Sequence, residues 1–156
     1  MRIQDGCLLF SFSALILSAG TVAQEQRIRR SDLPLAVENT VSTESRGAAI
    51  RGLSKEKEKN GATLYEVELV IDGHGRDVTI DETGKVVEVE EQVSLDSLSA
   101  AVKDGIHAKA GEGKILNVES ISKNGNLVAY EAKVTKAGKK FEVQVGPDGR
   151  ALDHPE

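Results

Sequence analysis

Residues 62–90 read ATLYEVELVIDGHGRDVTIDETGKVVEVE. Apolar and polar residues alternate on both sides of Asp72-Gly73-His74-Gly75 and again beyond Thr83-Gly84. Alternation with a period of two is typical of strands with one buried face, and short glycine-containing turns join antiparallel neighbours. The stretch therefore predicts three consecutive strands of an antiparallel sheet.

The same pattern recurs about 65 residues further along the chain. Tyr65-Glu66 aligns with Tyr130-Glu131, Val78 with Val143 and Gly84 with Gly149, without a gap. A further strand is predicted at the start of each copy, at 49–59 and 114–123, and Ala151-Leu152 is predicted as the last strand of the second copy. Each copy is thus predicted to hold a four-stranded meander.

A helix is predicted before each meander. In the first copy Leu33, Val37 and Val41 form one apolar stripe, with Ser31 or Asp32 as the cap and Pro34 in the opening turn. The second copy repeats the stripe with Leu95, Leu98, Val102 and Ile106 behind Ser94. The predicted fold class is α+β: two tandem repeats, 31–92 and 93–156, each a helix packed on a four-stranded antiparallel meander sheet.

The first 23 residues predict a signal peptide. Cys7 to Ala19 is an uncharged apolar run, and the small residues Thr21 and Ala23 favour cleavage after Ala23. Because the uncharged stretch 6–24 approaches the length that spans a bilayer, an uncleaved anchor is the alternative. Residues 24–30 are predicted to be a linker. We expect a secreted or periplasmic protein with no membrane contact after cleavage.

Composition excludes several classes of function. The net charge is -5, there is no tryptophan, and aromatic residues make up 3% of the chain, which disfavours nucleic acid binding. The only cysteine lies in the predicted signal peptide, so the mature chain would have neither a disulfide nor a thiol nucleophile. His74, His107 and His154 lack metal-ligand spacing. We expect no enzyme activity, no cofactor and no metal site built from these histidines.

Several short motifs resemble a known family. Leu33-Pro34 at a helix start, Asn60-Gly61 before LYEVE at 64–68, and DETGKVVE at 81–88 are similar to the PepSY-like group of bacterial domains, which includes families related to the β-lactamase inhibitory protein. The resemblance covers nearly the whole mature chain, twice. It implies an exported, non-catalytic module that binds a protein, as an inhibitor or regulator of a peptidase or another envelope or secreted hydrolase.

Strand alternation predicts where a partner would bind. If Tyr65, Val67, Val78 and Ile80 face the helix, acidic side chains share the opposite face. The predicted partner-binding residues are Glu66, Glu68, Asp77, Thr79, Glu88 and Glu90, whereas Glu131, Lys133, Glu142, Gln144 and Asp153 make the second copy less acidic. The patch predicts a basic protein partner, with calcium binding or buffering in the periplasm as the alternative. A sheet face in water is also expected to be polar whatever it binds.

Overall fold

The chain has 156 residues, and a computed structural model describes residues 25–156. The elements in this range are β1 (Gln26–Arg27), α1 (Leu35–Glu44), β2 (Ala49–Lys57), β3 (Thr63–Ile71), β4 (His74–Asp81), β5 (Val86–Val93), α2 (Ala100–Ala110), β6 (Lys114–Lys123), β7 (Asn126–Lys136) and β8 (Lys139–Val145). Single 3-10 turns, Arg30–Asp32 and Leu95–Ser97, precede α1 and α2. The predicted signal peptide and its alternative as an anchor lie outside the described residues. Within 25–156, neither helix has the length and apolar composition that crossing a bilayer requires.

All the strands of this range belong to one antiparallel sheet, in which they follow chain order from β1 to β8. β5 pairs with β6, from Glu88 opposite Lys123 to Val93 opposite Val118. The predicted fold class, two tandem repeats that each pack a helix on a four-stranded meander sheet, is therefore wrong: the strands of residues 25–156 form one eight-stranded sheet, accompanied by two short helices. Separate sheets would leave the amide and carbonyl groups of β5 and β6 unpaired along two edges, and joining the edges satisfies both rows.

The two ends of the chain also differ from the expected elements. Ala151 makes only an isolated bridge to Val145, so three strands rather than four follow α2. At the other end Gln26–Arg27, within the predicted linker, forms β1 and pairs with Lys55 and Ser54 of β2.

Both helices begin later than the sequence predicts. Pro34 stands at the start of α1 without a side-chain cap, and Asp32 instead accepts a hydrogen bond of 3.1 Å from the Arg29 amide. Ser99, not Ser94, caps α2, since its hydroxyl accepts from the Val102 amide at 3.3 Å. The 3-10 turns take up the intervening residues, which places Leu33 and Leu98 against the cores beside the helices.

Both helices cover the same face of the sheet. Val37 and Val41 of α1 are buried in one apolar core, and Val102 and Ile106 of α2 are buried in a second. Val89 packs against the first core and Val93 against the second; because they lie four residues apart on β5, their side chains point to the same side. The opposite side of the sheet therefore carries neither helix.

Two turn glycines hold the helices in place. Gly84 has a φ of +86°, and its carbonyl accepts a hydrogen bond of 2.6 Å from the Thr40 hydroxyl on α1. Gly149 has a φ of +79° and lies so close to α2 that a Cβ there would overlap the Ala101 carbonyl. An L side chain is disfavoured at both positions by the backbone angle and by the space.

Candidate binding face

The side of the sheet away from α1 and α2, here called the open face, is defined by residue pairing. Directly opposed residues of antiparallel strands point to the same side. Val67 is buried in the first core, so its neighbours Glu66 and Glu68 point away from the helices. The register of the sheet then assigns the rest of the open face.

The open face brings together all six residues of the predicted partner-binding patch. Glu68, Asp77 and Glu90 lie directly opposite one another on β3, β4 and β5. The neighbouring row holds Glu66, Thr79 and Glu88 in the same register. We call these six residues the acidic patch. Like charges directly opposed across strands destabilise a sheet, so the arrangement is electrostatically unfavourable unless protons or cations compensate it.

Arginine and lysine compensate two members of the acidic patch at its borders. The Arg27 guanidinium on β1 lies 3.0 Å from a Glu68 carboxylate oxygen. Lys123 Nζ on β6 lies 3.5 Å from Glu88. Both cations are beyond the three central strands, so the interior of the patch is left acidic.

The other three carboxyl groups of the acidic patch form no ion pair within residues 25–156. Burial, with a further contribution from Asp77, raises the pKa of Glu66 to about 7. Burial and the neighbouring Glu119 raise the pKa of Asp77 to about 6 and that of Glu90 to about 8. The centre of the patch is therefore partly protonated near neutral pH and becomes more negative as the pH rises.

β6 contributes two residues to the open face that the sequence-based prediction did not include, Glu119 and Asn117, and both contact predicted or newly found neighbours there. Glu119 on β6 is 8% exposed, and Lys133 Nζ on β7 lies 2.9 Å from its carboxylate. Asn117 donates a hydrogen bond of 2.9 Å to the same group. The alternation of Val118, Glu119 and Ser120 signals an outward carboxylate, but the link between β5 and β6 is what makes it a neighbour of Glu90.

Glu131 and Gln144 lie beside this ion pair. Glu131 is 6% exposed and accepts a hydrogen bond of 2.8 Å from the Gln144 side-chain amide. Burial raises the pKa of Glu131, whereas the hydrogen bond from Gln144 opposes the shift. The Glu119 and Glu131 carboxylates on β6 and β7 are thus bound by neighbouring side chains. In the part of the chain that the structure describes, the three carboxyl groups at the centre of the acidic patch lack such partners.

The described residues offer no set of metal ligands. Within 25–156 no group of three or more His, Cys, Asp or Glu side chains is placed to hold a metal ion. Asp81, the acidic residue of the β4–β5 turn, accepts hydrogen bonds from the Thr83 hydroxyl at 2.6 Å and from the Thr83 and Lys85 amides at 2.9 and 3.0 Å. Its carboxylate, whose pKa these hydrogen bonds lower, stabilises the turn. Calcium binding stays a prediction without a ligand set in this part of the chain.

Comparison with known proteins identifies the fold. The sequence matches no protein-family model and none of the curated proteins. Among solved structures it is similar to a protein from Bacteroides eggerthii described as a candidate periplasmic protein, with a TM-score of 0.62 and 21% identity over 77% of this chain and 86% of that one. A DUF2874 family protein from Bacteroides ovatus gives a TM-score of 0.59 and 19% identity over 78% and 85%.

A third solved structure bears on the predicted resemblance. A BLIP-like protein from Bacteroides fragilis gives a TM-score of 0.55 and 18% identity over 77% of this chain and 83% of that one. The predicted likeness to the β-lactamase inhibitory protein group is confirmed at the level of fold, and the likeness to PepSY domains in particular stays a prediction. The chain therefore has the fold that the DUF2874 and BLIP-like structures share.

Proposed function

We propose that this protein is an exported, non-catalytic binding module whose acidic patch receives a positively charged surface of another protein. The observation that carries the proposal is the in-register row Glu68, Asp77 and Glu90 on the uncovered side of the sheet. As Asp77 and Glu90 lose their protons, like charges face each other without an ion-pair partner, and this favours a cationic ligand.

A protein partner fits this surface better than a small molecule does. The six residues of the acidic patch lie on three adjacent strands, with no helix above them. Acidic side chains spread over three strands suit a macromolecule that brings several cations at once. Lysine and arginine side chains on a partner would neutralise Glu66, Asp77 and Glu90 together.

We further propose that the partner is a hydrolase outside the cytoplasm. The predicted signal peptide places the mature chain outside the cytoplasm. The family resemblance and the BLIP-like solved structure support an inhibitor or regulator of an envelope or secreted hydrolase, such as a peptidase. In this proposal the open face covers a basic region near the entrance of the hydrolase and changes substrate access.

Affinity capture from the secreted and periplasmic fractions tests the proposal. The tagged chain is compared with the variant Glu66→Lys/Glu68→Lys/Asp77→Lys and with the matched control Glu58→Lys/Glu82→Lys/Asp104→Lys, whose three changes lie at exposed positions away from the acidic patch. We expect a partner that the control retains and the patch variant loses, with binding that weakens as salt is added. Circular dichroism confirms that both variants are folded.

The captured partner is then purified and its hydrolytic activity is measured with and without the protein. A saturable change in activity, absent with the patch variant, supports the regulatory role. Binding that both charge-reversal variants retain equally would exclude the acidic patch as the site.

A further inference from the structure

Residues Leu152–Glu156 follow β8 and contact the part of the open face that β6–β8 form. The Gly146 amide donates a hydrogen bond of 2.8 Å to the Arg150 carbonyl, and Ala151 bridges to Val145, so the chain reverses direction after β8. Val145 is buried in the core, which means that a Cβ on the following Gly146 would point to the open face. That Cβ would lie 3.4 Å from Leu152 Cδ2, so Leu152 lies on the open face.

Glu156 makes two polar contacts on the same surface. Its amide donates a hydrogen bond of 2.8 Å to the Gln144 side-chain carbonyl, and its carboxylate lies 3.5 Å from Lys123 Nζ. Gln144 is itself oriented by the hydrogen bond of 2.8 Å that its amide nitrogen donates to Glu131. The Gln144 carbonyl is therefore held in position to accept from a backbone amide.

The segment spans an apolar part of the face. Ile121 and Ala129 oppose each other on β6 and β7, and they are 2% and 0% exposed although they belong to neither core. Lys123 lies on one side of this pair along β6, and Gln144 lies in the row on the other side. Because Glu156 contacts both flanking residues, Glu156 lies above Ile121 and Ala129.

We propose that the open face of β6–β8 is a docking surface for an extended peptide, and that the chain's own segment Leu152–Glu156 occupies it in the free protein. The surface recognises an aliphatic side chain beside Gly146, a backbone amide at Gln144 and, four residues after the aliphatic one, a carboxylate at Lys123. This ligand chemistry differs from that of the acidic patch on β3–β5, which favours cations.

The first test asks whether the segment is bound in the full chain. Amide relaxation of Asp153, His154 and Glu156 is measured by NMR in the unmodified protein, in Lys123→Gln and in the control Lys136→Gln. The control removes the exposed pairing of Lys136 with Glu112 instead. We expect restricted motion in the unmodified protein and the control and a clear increase in Lys123→Gln. Motion like that of a free chain end in the unmodified protein would overturn the proposal.

The second test asks whether the surface binds the segment as a separate peptide. A chain shortened to end at Ala151 is titrated with the peptide RALDHPE, and the same titration is run on the full chain. We expect saturable shifts at Ile121, Ala129 and Gln144 of the shortened chain only, with a dissociation constant on the order of millimolar because the tethering advantage is lost.

A peptide that carries Glu156→Lys should bind about fivefold more weakly, because the change removes a part-exposed ion pair with Lys123 and adds repulsion in its place. Shifts that are scattered over the sheet, that are absent into the millimolar range, or that are equal for the two peptides would overturn the proposal. If the shortened chain does not fold, Lys123→Gln in the full chain decides the question alone. Lys123→Gln also removes the cation that pairs with Glu88 of the acidic patch. The shortened chain and the two peptides leave that pair unchanged, so their outcomes are independent of the proposed function.

Discussion

Arg27 Nη2 lies 3.0 Å from Glu68 Oε1, and the arginine side chain reaches it by crossing directly above Gly52 of β2. A Cβ at Gly52 would overlap the guanidinium and approach Glu68 Oε1 to 2.7 Å. The glycine therefore makes the ion pair across β2 possible. The φ of Gly52 lies outside the left-handed region, so the backbone angle does not require glycine here. Glycine is needed because a side chain would occupy the space of the guanidinium.

Gly52→Ala should displace Arg27 from Glu68 and lower the free energy of unfolding by about 1 kcal/mol, since a part-exposed ion pair contributes little and the repacking adds to the loss. Gly75→Ala is the matched control, because the nearest atom to its new Cβ is 3.8 Å away. Urea unfolding measures both. Equal stability of the two variants would show that the space above Gly52 is not needed.

Stability should fall as the pH rises through the neutral range. Glu66, Asp77 and Glu90 have pKa values of about 7, 6 and 8 in the folded chain, against 4.5, 3.8 and 4.5 for the ordinary side chains. Between these values the folded state binds more protons than the unfolded state, so the free energy of unfolding decreases with increasing pH until about 8.

The triple variant Glu66→Gln/Asp77→Asn/Glu90→Gln removes these groups. We expect the unmodified protein to unfold at a lower urea concentration at pH 8 than at pH 5.5. The triple variant should show little of that difference. At pH 8 it should be more stable than the unmodified protein. Below pH 4 the lowered pKa of Asp81 acts in the opposite sense, since protonation weakens its turn. A flat profile for the unmodified protein above pH 5 would contradict the assignment.

Gly149→Ala should be among the most destabilising substitutions in the chain. The new methyl group would combine an unfavourable positive φ with overlap of the Ala101 carbonyl at the start of α2, and we expect a loss of roughly 2–4 kcal/mol. Gly138→Ala serves as a control, because its φ of +78° is almost the same and nothing lies within 4 Å of the Cβ. Thermal unfolding of the two variants separates the cost of the angle from that of the overlap; similar melting temperatures would refute the packing argument.

Removal of Lys133 should lower the free energy of unfolding, because it leaves a buried carboxylate without its ion-pair partner. Glu119 is 8% exposed and Lys133 is its ion-pair partner at 2.9 Å, so Lys133→Met leaves it with the Asn117 hydrogen bond only and should destabilise by roughly 2–4 kcal/mol at pH 8. Adding Glu119→Gln should restore at least half of the loss. A double-mutant cycle by urea unfolding measures the coupling, and additive effects would mean that the two side chains do not depend on each other.

The alternating residues of β3 and β4 were enough to predict four of the six side chains of the acidic patch. Glu66, Glu68, Asp77 and Thr79 follow from a period of two, and the structure places all four on the open face. Pairing of Glu119 with Lys133 could not be predicted in this way, because the separation of the two residues in the chain says nothing about the register between β6 and β7. A register shift between Ile115 and Asn117 on β6 also changes which residues face each other, and the sequence does not predict it.

By itself, the sequence determined the local elements: where strands alternate, where glycines turn the chain, and which residues of each helix are apolar. These follow from short-range sterics and from the need to bury one side of an element. Only the tertiary structure decided that β5 joins β6 in one sheet, that Arg27 reaches Glu68, and that Leu152 and Glu156 lie on the open face. Those contacts connect residues far apart in the chain, and they form because edge hydrogen bonds, buried charges and an apolar patch each need a partner that no local pattern specifies.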